Sequence, residues 1–219
     1  KPNNPSILYN LALSFLKSGD EFAAIEYLKK AGGFDKNGEV TFRAYSRLGI
    51  LYTDRLQFNL AEQYLLQAKR LRPTNALIAY NLGIAYLKQK KKELALKEFS
   101  DSLKYSNKDK GMLEYLGEAF FSAKDFDNSL KAYNKLLKEN KRNIKILSRV
   151  AEIYYEKKEY DKAYSMYENI TTLAPATENA RIAYINMGNI LDDTGKYNDA
   201  IEMYKKALVI NDKDDVAYY

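Results

Sequence analysis

Apolar and polar positions along this chain follow a helical spacing, and the pattern keeps returning. Small residues recur at Ala12, Gly49, Gly83, Gly117, Ala151 and Gly188, separated by 37, 34, 34, 34 and 37 residues. Each follows an apolar residue (Leu11, Leu48, Leu82, Leu116, Val150, Met187) and precedes by three a ring or leucine (Phe15, Tyr52, Tyr86, Phe120, Tyr154, Leu191). Twelve residues beyond each anchor stands a second small residue: Ala24, Ala61, Ala95, Ser129, Ala163 and Ala200. Four further on comes another bulky one: Leu28, Leu65, Phe99, Tyr133, Tyr167 and Tyr204.

Residues three and four apart share one face of a helix, so each period predicts two amphipathic helices of roughly 14 residues. Polar breaks such as Ser18-Gly19-Asp20 and Thr194-Gly195-Lys196 separate them, a stop signal followed by a cap. The small residues allow close approach of two helices, with the rings filling the space beside them. One such pair cannot cover its own apolar face, and stacking of neighbours does so.

Leu-Gly-x-x-Tyr followed by Ala-x-x-x-Phe/Tyr at a period of 34 resembles the tetratricopeptide repeat (TPR) family. The resemblance implies an all-α solenoid of antiparallel helix pairs, wound as a right-handed superhelix. Six repeats are expected at 5–41, 42–75, 76–109, 110–143, 144–180 and 181–214. Residues 1–4 read as the end of a preceding repeat and 215–219 as the start of a truncated seventh, so the chain reads as part of a longer array. The departures from the family pattern are local. Its tryptophan is Leu8, Tyr45, Ala79, Leu113, Leu147 and Tyr184 here, and its closing proline survives at Pro73 and Pro175. A third small position (Ala31, Ala68, Ser102, Ala207) is filled by Leu136 and Ile170 in two repeats, whose second helices should stand further from their neighbours. The two longer spacings place three extra residues near Gly32–Gly38 and Pro175–Asn179, in a turn or as one added helical turn.

Composition narrows the chemistry. The 219 residues include no cysteine and no histidine, which removes disulfides, thiol nucleophiles, Ser-His-Asp triads and zinc sites of the usual kind. No catalytic residue, metal site or cofactor is expected, and the chain reads as a binding scaffold rather than an enzyme. No apolar run is long enough to cross a bilayer. A lack of cysteine suits a cytoplasmic and a periplasmic protein equally. Richness in Lys, Asn, Ile and Tyr fits an AT-rich bacterial genome.

The residue after each small anchor points away from its own helix pair. Leu13, Ile50 and Ile84 are apolar there, and Tyr9, Leu16, Leu77, Tyr80 and Leu87 lie on the same face, with Arg43 and Arg47 beside them. In the later repeats that face carries Glu114, Glu118, Glu152, Glu156, Asp192 and Asp193, with Lys145 and Arg149 interspersed. A groove follows, apolar and mildly basic at one end and acidic at the other, fitted to an apolar-anchored peptide or helix of a partner protein. Asn10, Asn81 and Asn186 stand where relatives in the family use Asn to bond a peptide backbone, and Asn10 and Asn81 are expected as backbone contacts. The family's carboxylate clamp needs Lys and then Asn four residues later on one first helix. Tyr9/Leu13, Ser46/Ile50 and Tyr80/Ile84 do not supply it.

Charge is uneven: 20 basic against 11 acidic residues between Phe42 and Asn143, and 15 against 18 in the flanks. Lys88, Lys90, Lys91 and Lys92 crowd one turn, and Lys69, Arg70 and Arg72 close a helix. Interleaved acids (Glu93, Glu98, Asp101) make a solvated surface the better reading than a nucleic-acid site. Asp35–Glu39 resembles the start of a calcium loop, but Val40 stands in place of the turn glycine. Asn169-Ile170-Thr171 is a glycosylation triplet falling inside an expected helix. The partner expected is another protein, with recruitment for an enzyme elsewhere in a longer chain, or self-association, as alternatives.

Overall fold

The computed structural model describes residues 4–34, 38–106 and 109–216, with side chains as far as residue 210. Twelve α-helices follow one another: α1 (Pro5–Ser18), α2 (Glu21–Phe34), α3 (Glu39–Asp54), α4 (Phe58–Leu71), α5 (Ala76–Lys88), α6 (Lys92–Tyr105), α7 (Lys110–Ser122), α8 (Phe126–Glu139), α9 (Ile144–Glu156), α10 (Tyr160–Leu173), α11 (Glu178–Asp193) and α12 (Tyr197–Val216). No strand occurs among the described residues. They form two compact units, Lys1–Asp125 with α1–α7 and Phe126–Tyr219 with α8–α12. Within each unit every helix packs on the next in sequence. In the first unit α1 also touches α3, α3 touches α5 and α5 touches α7; in the second, α9 touches α11. The odd-numbered helices therefore form a layer of their own in each unit, with one side turned away from the even-numbered helices.

The periodic positions explain this packing. Ala12, Ala24, Leu28, Leu48, Ala61, Leu65, Leu82, Ala95 and Phe99 are wholly buried in the first unit, and Ala151, Ala163 and Ala200 in the second. The anchor glycines Gly49, Gly83 and Gly188 lie directly under the bulky residue sixteen positions later. A Cβ on Gly49 would stand 2.5 Å from Leu65 Cγ, on Gly83 2.4 Å from Phe99 Cε1, and on Gly188 2.4 Å from Tyr204 Cε1. Glycine is present because the ring or leucine occupies the space a side chain would need.

Five of the odd-numbered helices start on a side-chain cap. Asn4, Asn75, Asp109, Asn143 and Thr177 each accept a backbone N–H of the first turn. Asn4 caps α1 as Asn75 and Asn143, the last residues of their expected repeats, cap α5 and α9; residues 1–3 lie outside the described residues. The extra residues of the two longer periods form an added helical turn: α3 and α11 have 16 residues, against 13 in α5, α7 and α9. The turn between the two helices of every repeat places one residue at positive φ, seven positions after the anchor: Gly19, Leu56, Lys90, Lys124, Lys158 and Gly195.

The looser packing expected beside Ile170 is not found. Ile170 is buried in one cluster with Ala183 and Met187, and α10 packs broadly on α11. α11 carries Ala183 where α5 and α9 carry Ile78 and Ile146, which offsets the added volume. Leu136 has no such offset, and α8 meets α9 less extensively than α10 meets α11. But α6, with the small Ser102 at that position, meets α7 less extensively still, so the volume of Leu136 does not account for the difference. The boundary expected after Asp214 falls inside α12, which runs on to Val216 without a turn, and residues 217–219 lie outside the described ones. Most of the calcium-like stretch, residues 35–37, lies outside them too.

Candidate functional site

On the odd-helix layer of the first unit, a depression of about 200 Å³ lies between α3 and α5. Phe42, Arg43, Ser46, Arg47 and Ile50 of α3 line one side, Asn75, Leu77 and Ile78 of α5 the other, and Tyr9 of α1 closes it. α3 supplies two helical ridges to the wall because 42, 43, 46, 47 and 50 follow the three–four spacing of one face. Leu77 is 46% exposed, an apolar side chain that the fold leaves open. The Arg43 guanidinium lies over the Tyr9 ring, 4.7 Å from its centroid, and covers it. Arg72 stacks on Phe42 at 5.6 Å and pairs with Glu39 at 2.9 Å. Neither Arg43 nor Arg47 pairs with a carboxylate among the described residues.

The second unit repeats the construction. Ile144, Lys145, Ser148, Arg149 and Glu152 of α9, with Tyr167 of α10 and Asn179, Ile182, Ala183 and Asn186 of α11, line a depression of about 400 Å³. Counted from the anchors Gly49 and Ala151, the α3 and α9 residues occupy the same five positions. Phe42 corresponds to Ile144, Arg43 to Lys145, Ser46 to Ser148 and Arg47 to Arg149, while Leu77 corresponds to Ile182 on the following odd helix. The difference lies at the fifth position, Ile50 in one and Glu152 in the other. Glu152 accepts from the Arg149 guanidinium at 2.8 Å. Beneath it, burial first and the Glu152 charge second raise the ionisation of the Tyr167 hydroxyl far above the ordinary phenol range.

Five of the residues expected from sequence, Tyr9, Arg43, Arg47, Ile50 and Leu77, thus share the first depression, and Arg149 and Glu152 share the second. Leu13, Leu16, Ile84 and Leu87 are half-buried on the odd helices but line neither depression. Asn10 is exposed on α1. Asn81 is only 9% exposed, and its amide donates to the Leu77 carbonyl at 2.8 Å, which uses one of its two N–H hydrogens inside α5. Tyr80 packs between Phe99, at 6.1 Å, and the open ring of Tyr115, at 5.9 Å. Glu114 and Glu118 are half-buried on α7. Phe42, Ser46, Asn75, Ile144 and Ile182 were absent from the sequence expectation, and Asn186, noted there as standing at the family's asparagine position, lines the second depression. Their signal was present as apolar, serine and asparagine residues at fixed distances before the anchor.

The acidic positions are engaged. Asp193 accepts from the Tyr155 hydroxyl at 2.6 Å, which with burial and the Asp193 charge pushes that phenol up to about 12. Asp192 accepts from Tyr204 at 2.8 Å. Much of the basic surface is engaged as well. Lys69 reaches Glu98 at 2.5 Å and Asp101 at 3.2 Å, and Lys91 reaches Glu62 at 2.8 Å, each tying one repeat to the next. Among the described residues no group of three or more acidic side chains could hold a metal, and no helix is long and apolar enough to cross a membrane.

Comparison with known proteins places this geometry. Among solved structures, the crystal structure of MamA protein is similar at 20% identity and a TM-score of 0.64, over 80% of this chain and 94% of that one. MamA from Desulfovibrio magneticus RS-1, from residue 41 to its end, gives 21% identity and 0.62 over 77% and 92%. YrrB, described as a TPR protein with an unusual peptide-binding site, gives 18% and 0.64 over 85% and 93%. No curated protein sequence matches. At these identities the likeness is one of fold, an all-α TPR solenoid. Family models described as tetratricopeptide repeat match residues 5–36, 46–110, 113–141 and 142–212, and together they span nearly the whole chain. This chain belongs to the tetratricopeptide repeat family.

Proposed function

We propose that the chain is a non-catalytic scaffold that holds a segment of a partner protein against its odd-helix face. The observation that carries this reading is the depression between α3 and α5, where Ile50 and the open Leu77 form an apolar floor that no helix of the first unit covers among the described residues. An apolar patch framed by charged groups is how helical scaffolds seat an extended or helical segment. The similarity to YrrB, a protein described by its peptide-binding site, supports the same reading. The basic turns contribute little to a nucleic-acid reading, because Lys69, Arg72 and Lys91 are paired with Glu98, Glu39 and Glu62.

The test is selection of a displayed peptide library on the 219-residue chain, followed by binding of the enriched peptides to a variant carrying Leu13→Ser, Ile50→Ser and Ile84→Ser. Loss of binding with the helical signal and cooperative melting retained supports the proposal. Undiminished binding by the folded variant moves the site off this face.

A further inference from the structure

We infer that the α3–α5 depression receives a segment in which an apolar side chain is followed or preceded, within two residues, by a carboxylate. This rests on the scaffold reading above and names the chemistry of the partner. The apolar side chain seats on Ile50 and Leu77, and the carboxylate meets Arg43 and Arg47.

Three observations lead here. First, Arg43 and Arg47 stand one turn apart on α3, both exposed, so two like charges are held side by side. The other cations that bridge helices of this unit are matched: Arg55 with Glu21, Lys69 with Glu98 and Asp101, Arg72 with Glu39, Lys91 with Glu62. Arg43 and Arg47, by contrast, leave uncompensated positive charge at this depression.

Second, both cations are arginines, whose planar forks bind a carboxylate through two parallel hydrogen bonds. Arg43 is held in place on the Tyr9 ring, which lowers the ordering cost of gripping a ligand. Third, the equivalent depression of the second unit shows the same design with the anion built in. There the position of Ile50 is Glu152, and that carboxylate sits 2.8 Å from Arg149, the counterpart of Arg47. The first unit has an apolar floor where the second has an internal carboxylate, and it leaves that role to a ligand.

The probe is a bead-bound peptide library with one fixed leucine and degenerate flanking positions, screened with the fluorescently labelled 219-residue chain. Enrichment of Asp or Glu within two positions of the leucine is expected. Three variants follow: Arg43→Glu with Arg47→Glu, Arg47→Gln alone, and Ile50→Glu, which installs the residue of the second unit. The double reversal is expected to shift the enrichment to Lys and Arg, and each variant to weaken the best wild-type peptide about tenfold or more, with its helical signal intact. The Arg47→Gln variant serves if the double reversal does not fold. Enrichment without acidic bias, or an acidic bias unchanged in the variants, overturns this inference and leaves the scaffold reading standing. Failure of the wild-type chain to enrich any peptide overturns the scaffold reading itself.

Discussion

Gly83→Ala places a methyl group where no room exists. Its Cβ would lie 2.4 Å from Phe99 Cε1, 2.5 Å from Cδ1 and 3.1 Å from Cζ, against an ordinary contact of about 3.5–4 Å between carbons. The Phe99 ring cannot swing aside. It is wholly buried, edge-on to Phe120 at 5.7 Å and tilted against Tyr80 at 6.1 Å. Relief requires α5 and α6 to separate by about an ångström. Overpacking of this kind costs about 1–3 kcal/mol, and a ring backed by two others belongs in the upper half of that range. Alanine returns about 1 kcal/mol through its better helix propensity. The net is a loss of about 1–2 kcal/mol, or roughly 3–6 °C for a chain of this size.

Gly33→Ala isolates the propensity term, since nothing lies within 4 Å of a Cβ there, and it should leave stability unchanged or slightly raised. Adding Phe99→Leu to Gly83→Ala should cost less than the two single changes together. Urea and thermal unfolding followed by circular dichroism measure the wild type and all four variants. A Gly83→Ala variant as stable as the wild type, or a strictly additive double variant, refutes the reasoning that glycine is held at the anchor by the ring above it.

The positive φ at Lys90, Lys124 and Lys158 predicts that glycine there relieves about 1–2 kcal/mol of left-handed strain at a backbone-entropy cost of about 0.5–1. Each variant should melt slightly higher than wild type, whereas Gly19→Ala should melt lower. Lys69→Met leaves the nearly buried Glu98 without its cation and should cost about 1–2 kcal/mol at neutral pH, measured by urea unfolding. Stability should be nearly flat between about pH 5.5 and 9, since the chain has neither histidine nor cysteine. Burial pushes the Glu62 carboxyl up, but Lys91 and Gln89 outweigh it and hold it below 4.5, so its contribution is present above that value and lost as pH falls further. Burial pulls Lys69 down, but Glu98 and Asp101 outweigh it and hold it above 10.5, so its contribution is complete below that value and lost as pH rises through the raised one. Melting temperatures across the pH range check both limbs.

Nearly all of the helix pairing was legible in the sequence, because each anchor and its partner sixteen residues later are chosen by volume, and volume shows in residue type. The added turn in α3 and α11 was legible only as an alternative: spacing counts residues but does not say which end of a helix receives them. Four of the six left-handed turn residues carried no signal, since Leu56, Lys90, Lys124 and Lys158 stand where Gly19 and Gly195 would have marked the turn. The site was half legible. A single position after each anchor pointed to Ile50 but also to Leu13 and Ile84, which line neither depression. Apart from Ile50, the depression between α3 and α5 is made by positions before the anchor on each odd helix. Pairing hid as well: the acidic run looked like an open field, whereas Glu152 and Asp193 are already bonded to Arg149 and Tyr155.

The absence of native cysteine allows a direct placement of the ligand. Ser46→Cys puts a single thiol within the α3–α5 depression, and Ser100→Cys puts one on the exposed side of α6. Each thiol is coupled to a photo-reactive group and illuminated with the best peptide from the library selection. The account predicts cross-linking from position 46, competed by unlabelled peptide, and none from position 100. Cross-linking from position 100 with none from position 46 contradicts it.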